Sequence, residues 1–309
     1  MAAMRTLHEA VGRLHLARKL TLVLDLDETL TSSPRGDGGE TLIEPRPYVH
    51  RFLEETSRTY ELCLYTHATA EHARRALAIL DPLRSIFGGR VHTRGDSSLD
   101  VPQKHLLPEM GGSRMAVAVD DRHDVWKWYA ANLIQIEPFN AFPLPTQCAV
   151  IDWREDRALL SVAANLAVIH AEFYRRVDMG GWPIMRDVIR DLRGGVLSGA
   201  VLAFSCVVPP EESLVDSYHW RVATALGAVC VREVTAVVTH LVARIDGVHR
   251  VTLAKELGTV NVVSLEWLDA AIGTWTRPDE TLFAVPTLRD DDWSLVRMIT
   301  ADALGTGFI

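Results

Sequence analysis

With 309 residues, of which 48% are hydrophobic and 23% charged, the chain is long enough for two folded domains and has an ordinary globular composition. A formal charge of −8 argues against broad binding to a nucleic-acid backbone, so no direct nucleic-acid partner is expected. No apolar run approaches a membrane span, Met1 to Lys19 lacks a signal-type apolar block, and Cys63, Cys148, Cys206 and Cys230 have neither metal-ligand nor disulfide spacing. These features imply no membrane partner and a cytosolic or nuclear setting.

In chain order, TLVLD (21–25) predicts a strand, RPYVHRFLEETSRTY (46–60) a helix with Pro47 near its start, and ELCLYT (61–66) a second strand. HATAEHARRALAIL (67–80) reads as a helix that stops before Pro82, and a short strand is expected near GRVHT (89–93). RMAVAVDD (114–121) and NLIQIE (132–137) read as short buried strands. Alternating strands and helices imply a parallel, doubly wound sheet, whose ligands bind beyond the carboxyl ends of the strands. From 157 to 193 the pattern is helical, split by MGGW. A second αβ unit follows: strands at 201–205, 228–231, 238–243 and 260–264, and helices at 217–227, 250–258 and 265–273. The chain after Pro286, with Asp290, Asp291 and Asp292, reads as a loosely held tail.

The stretch KLTLVLDLDETLTSS, Lys19 to Ser33, runs an apolar strand straight into Asp25, Asp27 and Glu28. Uncompensated carboxylates at a buried strand end are costly, unless they are simply solvated turn residues. A calcium loop does not fit, because Leu30 stands where glycine is needed, Gly36 where a glutamate is needed, and a strand precedes the loop. Thr66, Lys104 and the pair Asp120–Asp121 follow in the same sheet at or near predicted strand ends. Phosphoryl transfer to a carboxylate needs this set. Asp25 and Asp27 would act as nucleophile and acid/base, one either side of Leu26. Asp25 and Asp121 suit an oxygen-ligated Mg²⁺, while Thr66 and Lys104 supply a hydroxyl donor and a positive charge for the phosphoryl oxygens. Taken singly, Lys104 reads as a surface lysine and Thr66 as a turn residue; the ordered set makes the chemical reading.

The D-x-D-x-T stretch, with Thr66, Lys104 and Asp120–Asp121 in this order, resembles the aspartate-based protein phosphatases of the haloacid-dehalogenase superfamily. Neither the segment 30–45 nor the gap from Thr66 to Lys104 is long enough for the cap domain common in relatives that act on small metabolites. An open site and a protruding phosphorylated side chain are therefore expected. The stretches EPRPYVHRFLEETSRTYELCLYT, ILDPLRSIFGGRVHTRGD, VDDRHDVW, NLIQIEPFNAF and LAVIHAEFY narrow the resemblance to the FCP-type phosphatases of the RNA polymerase II C-terminal domain, over roughly 19–287. LGA (226–228), VTHLVA (238–243) and EWL with Trp267 resemble a BRCT domain.

The resemblance implies an α/β haloacid-dehalogenase-like Rossmannoid parallel sheet without a large cap, a short helical segment and a C-terminal BRCT α/β domain. The corresponding boundaries are 1–156, 157–194, 195–287 and a tail at 288–309. It implies catalytic Asp25, Asp27, Thr66 and Lys104, and Mg²⁺ held by Asp25, Asp27, Asp120 and Asp121, with orientation of Lys104 as the other role open to Asp120. Thr29 would steady the loop at the substrate, and Arg94 matches a family arginine near the site. Tyr65 is either an aromatic substrate contact or an ordinary core tyrosine. Ser205 and Lys255 sit where some BRCT domains grip phosphate, but Cys206 replaces the usual glycine. His67 and His72 read as a solvated helix face. The implied activity is Mg²⁺-dependent dephosphorylation of serines in the polymerase heptad repeats, in the nucleus, with transcription factors as further partners. A different nuclear phosphoprotein substrate, or a BRCT scaffold with a degenerate phosphatase fold, are the alternatives.

Overall fold

The structure, a computed structural model, describes residues 2–33, 42–96, 103–141, 153–208 and 213–287. The expected tail at 288–309 lies outside the described residues, and the segment 30–45 is described only in part. The elements are α1 (Ala2–Ala17), β1 (Leu20–Leu24), β2 (Thr31–Ser32), β3 (Glu44–Pro45), α2 (Val49–Ser57), β4 (Tyr60–Thr69), α3 (Ala70–Leu80), β5 (Val91–Arg94), α4 (Gly112–Met115), β6 (Ala116–Asp120) and β7 (Leu133–Gln135). They continue as α5 (Ala158–Asp178), α6 (Met185–Arg193), β8 (Val201–Ser205), α7 (Tyr218–Ala225), β9 (Val229–Cys230), β10 (His240–Ala243), α8 (His249–Leu257), β11 (Asn261–Ser264) and α9 (Leu265–Thr274). The chain divides into two compact units, parting between Arg190 and Asp191.

In the first unit a five-stranded sheet runs β5-β4-β1-β6-β7, with every pair parallel. Each residue of β1 and of β6 is buried, as expected of strands covered on both faces. Side chains alternate across the sheet, so Val23, Cys63, Ala116 and Ala118 share one core with Trp126, Met110 and Leu106. The sheet is wound outward from β1 to both sides, and the crevice at such a switch point is where these folds bind ligands. Asp25 leaves β1 there with its N–H bonded to the Val119 carbonyl of β6 (3.1 Å).

Two helices that flank the sheet carry more than connection. Tyr60 donates its hydroxyl to the Leu166 carbonyl of α5 (2.6 Å), and Tyr174 of α5 donates to the Lys19 carbonyl (2.8 Å). Arg18 forks onto Asp178 at 2.8 and 3.0 Å. The helix expected as a connecting segment is thus bound into the first unit. Helix α1, which composition alone did not reveal, inserts Ala10 and Leu14 into the core of the same unit.

The second unit holds a four-stranded parallel sheet, β11-β10-β8-β9. Its core gathers Leu202, Phe204, Val242 and Val263 around Trp267 of α9. The Trp267 ring stacks on His240 with centroids 5.0 Å apart, and its indole N–H reaches the Pro278 carbonyl (3.1 Å). Cys206 adopts φ 53°, the left-handed conformation that favours glycine, so the backbone there does turn as a glycine would turn it. The Lys255 ammonium lies on both oxygens of Asp246 (2.9 and 2.7 Å), an ion pair within the unit. Trp267→Ala removes the largest side chain of this core. It should lower the stability of the second unit by about 3–5 kcal/mol, measured as a shift of that unit's transition by calorimetry, with the transition of the first unit unmoved.

Candidate active site

The loop after β1 is a tight turn. Glu28 sits at φ 62°, Leu30 and Thr31 both return their N–H groups to the Leu26 carbonyl (2.9 and 3.0 Å), and Glu28 donates to Thr31 (2.7 Å). A non-glycine residue in the left-handed region costs about 1 kcal/mol or more, and the surroundings must hold it. Arg46, 2% exposed, does much of that holding. Its N–H binds the Leu30 carbonyl (2.9 Å), and its guanidinium reaches the carbonyls of Thr29 (3.3 Å) and Glu137 (3.0 Å). The same guanidinium contacts Asp156 at 3.1 and 2.8 Å. Sequence reasoning gave Arg46 no role beyond the start of a helix, because its burial depends on partners 91 and 110 residues away in the chain.

Asp25, Asp120 and Asp121 converge at the carboxyl ends of β1 and β6 and are buried. Lys104 reaches them from a separate loop, anchored by its own N–H on the Val125 carbonyl (2.7 Å). Its ammonium donates to Asp25 Oδ1 (2.5 Å) and Asp120 Oδ2 (2.6 Å), and it is 2% exposed. Trp126 donates its indole N–H to the same Asp120 oxygen (2.8 Å), and the Arg122 N–H takes the other (2.8 Å). Trp126 is a second residue that sequence reasoning missed; within VDDRHDVW only its spacing from Asp120 could have marked it. Asp120 therefore orients Lys104 and also stands within the acidic cluster.

One oxygen from each of Asp25, Asp120 and Asp121 lies within 4.8 Å of the others, the one such acidic or metal-binding group found among the described residues. An oxygen-only donor set fits a hard divalent cation such as Mg²⁺. So does the charge: three buried carboxylates share one ammonium. The Asp27 side chain, expected among the ligands, is not in this group; its Oδ1 meets His72 Nε2 at 2.8 Å instead. That contact also corrects the solvated reading of His72, whose side chain is only 18% exposed.

The remaining expected residues fall into two sets. Thr66 is buried in β4, the strand next to β1, and its oxygen accepts the Ala68 N–H (3.0 Å), which leaves the hydroxyl proton to donate. Arg94 ends β5 on the surface, and its charge, with those of Lys104 and Arg122, adds to burial in lowering the His67 pKa. Thr29 is fully buried, exchanging hydrogen bonds with Asp121 through its hydroxyl (both 3.1 Å), so it fixes a carboxylate rather than reaching toward a substrate. Of the two readings of Tyr65, the structure has the buried one. Its ring lies edge-on to Trp126 and 5.7 Å from the Lys104 ammonium, a floor for that charge rather than an exposed contact.

Electrostatics follow from the crowding. Burial, then the Asp120 charge, push Asp25 up to about 8 against the pull of Lys104; burial and Asp120 push Asp121 up to about 7. Burial works against the charged Lys104, but Asp25 and Asp120 outweigh it and raise its pKa. Carboxyls whose folded pKa lies above the unfolded value add stability that is lost as pH rises through the folded pKa. Lys104→Met removes the buried cation that opposes this loss. In metal-free buffer it should cost about 3–5 kcal/mol at about pH 9, where the carboxylates are charged, and distinctly less at about pH 6; urea unfolding at the two pH values measures the difference.

Residues 20–170 match the family model of NLI interacting factor-like phosphatases, and residues 208–267 match that of the twin BRCT domain. The chain is 31% identical over 303 residues to an RNA polymerase II C-terminal domain phosphatase of Caenorhabditis elegans, covering 86% of this chain and 46% of that protein. It is 30% identical over 317 residues to Arabidopsis thaliana RNA polymerase II C-terminal domain phosphatase-like 4, covering 88% of this chain and 71% of that protein. The chain thus spans about half the length of the nematode relative. Among solved structures, that of Fcp1, an essential RNA polymerase II CTD phosphatase, superposes with a TM-score of 0.69 at 25% identity, covering 90% of this chain and 99% of the other. The mixed α/β fold with parallel sheets and the BRCT domain of the second unit agree with these matches. The chain belongs to the family of RNA polymerase II C-terminal domain phosphatases.

Proposed function

We propose that the chain is a Mg²⁺-dependent phosphatase that removes phosphate from serines in the heptad repeats of the RNA polymerase II C-terminal domain, through a phosphoaspartyl intermediate on Asp25. One observation carries the chemistry: a buried Asp25–Lys104–Asp120 network with Asp121 alongside, at the crevice of a parallel sheet, two residues before Asp27. The substrate class rests on the relatives, whose names state that they act on the polymerase C-terminal domain. Such a substrate implies a nuclear setting and partners among the transcription factors.

In this reading Asp25 attacks phosphorus through the carboxylate oxygen not held by Lys104. The P–O bond to serine breaks as the Asp25–P bond forms, and Asp27 gives its proton to the departing serine oxygen. Asp27 then takes a proton from water, whose oxygen attacks phosphorus and releases inorganic phosphate and free Asp25. Lys104 and the Thr66 hydroxyl hold the phosphoryl oxygens as charge shifts onto them. Mg²⁺, held by Asp25, Asp120 and Asp121, would neutralise the repulsion between the carboxylate cluster and the phosphate dianion. No cap is inserted among the described residues: β1 is followed by the small β2–β3 pair and α2, and β4 by α3 and β5. Contacts to the peptide must then supply the positioning that an enclosing cap would give.

A binding-only role is disfavoured, because Asp25, Asp27, Lys104, Asp120 and Asp121 are all present and Lys104 is bonded to both Asp25 and Asp120. A panel of singly phosphorylated heptad peptides with Mg²⁺ tests the assignment. We expect release of phosphate from the peptides and little from free phosphoserine, while Asp25→Asn and Asp27→Asn each fall below about a hundredth of wild-type turnover with the fold intact by circular dichroism. Turnover of other phosphoproteins but not of heptad peptides would move the substrate elsewhere; retained turnover in Asp25→Asn would remove the covalent step.

A further inference from the structure

His72 stands outside every role assigned so far. It occupies the first turn of α3, in a stretch whose spacing suggests only a polar helix face. Yet its Nε2 lies 2.8 Å from Asp27 Oδ1, with the Ser33 hydroxyl more distant at 3.5 Å. When Asp27 is ionised its carboxylate can only accept, and Nε2 then carries the proton in this bond. The backbone around His72 is also pinned: Thr69 caps α3, its hydroxyl oxygen accepting the His72 N–H at 3.2 Å. The imidazole therefore comes from a capped helix, while Asp27 comes from the strained turn after β1. The contact joins the two segments across 45 residues of sequence.

We infer that His72 is a positioning residue for Asp27, a reading that rests on Asp27 being the acid/base of the proposed reaction. By donating to Oδ1, the imidazole N–H restricts rotation of the carboxyl. It also leaves Oδ2 as the oxygen that carries the proton to the leaving group and later accepts one from water. The restraint persists through both half-reactions, because Oδ1 accepts whether or not Oδ2 is protonated. A side chain that is 39% exposed, as that of Asp27 is, would otherwise sample several rotamers in water. Holding it in one rotamer lowers the cost of reaching the transition state.

General-acid help matters most when the leaving group is a poor one, and serine is far poorer than a nitrophenol. The test is therefore kcat/KM for a series of substituted phenyl phosphates together with a phosphoserine heptad peptide, with Mg²⁺ present. His72→Phe should steepen the dependence of rate on leaving-group pKa: the loss is smallest with p-nitrophenyl phosphate and reaches about tenfold or more with phenyl phosphate and the peptide. His72→Gln, whose carboxamide N–H can replace the imidazole donor, should recover most of that loss. Asp27→Asn serves as the reference for complete loss of the acid. A uniform loss across the series in His72→Phe, or no loss, beside a steep series for Asp27→Asn would overturn the positioning role alone. A His72→Gln variant as impaired as His72→Phe would overturn it too. If Asp27→Asn itself shows no leaving-group dependence, the acid/base reading of Asp27 fails instead. Should His72→Phe lower the melting temperature, His72→Ala, which only removes atoms, carries the same comparison.

Discussion

Three buried carboxylates around one ammonium are the constraint on which the first unit turns. A buried charge is tolerated only when paired and hydrogen-bonded, and Lys104 can pair at most partly with Asp25, Asp120 and Asp121 together. The fold relieves the remainder locally. Trp126 and the Arg122 backbone occupy the oxygens of Asp120, and Thr29 binds Asp121, whose carbonyl takes the Gln135 amide at 2.8 Å. These are neutral donors, so they lower the cost without removing the excess negative charge. Burial and what is left of that charge show in the raised pKa values of Asp25 and Asp121, pushed up to about 8 and about 7.

That requirement explains why so much structure converges on a short loop. The sheet delivers Asp25 and Asp120 side by side because β1 and β6 are neighbours in register. The turn that follows β1 must then reverse within a few residues to present Asp27, and Glu28 takes a left-handed conformation to do so. Arg46 answers this strain with bonds to two carbonyls in and next to the turn, and its own charge is matched by Asp156 rather than left bare. Breaking such a buried pair costs several kcal/mol, so the turn is held by a strong but local device. Thr29 completes it by tying the turn to Asp121.

Much of this was legible in the residue order, and what was not has a physical reason. The strand at 201–205 agrees to the residue, and β1 and β6 differ only at their ends, because apolar runs of β-branched and aliphatic residues bounded by polar ones are strong signals. The helix read from His67 begins at Ala70 instead, since β4 runs on to Thr69, which then caps α3; an alanine-rich stretch with a threonine inside it fits either state. The helix read over 46–60 shortens to Val49–Ser57, starting after Tyr48 at φ 65°. Asp25, Lys104 and Asp120 could be named because phosphoryl chemistry requires their types and their order in the chain resembles that of a known family. Arg46, Trp126 and His72 could not. Arg46 and His72 take their roles from partners that the fold, not the sequence neighbourhood, brings to them, and Trp126, only six residues from Asp120, is aimed at it by the turn after β6. Tyr65 stayed open between two readings because nearness to a motif does not say which way a side chain faces, whereas Thr29, read as steadying the loop, does so through Asp121.

The central claim is that the carboxylate cluster is completed by a divalent cation that displaces protons. Calorimetric titration of Mg²⁺ into the chain near pH 7, repeated in buffers of different ionisation enthalpy, measures both quantities at once. The account predicts one cation bound per chain with net proton release, and loss of both in Asp121→Asn. Binding without proton release, or no binding at all, would contradict it.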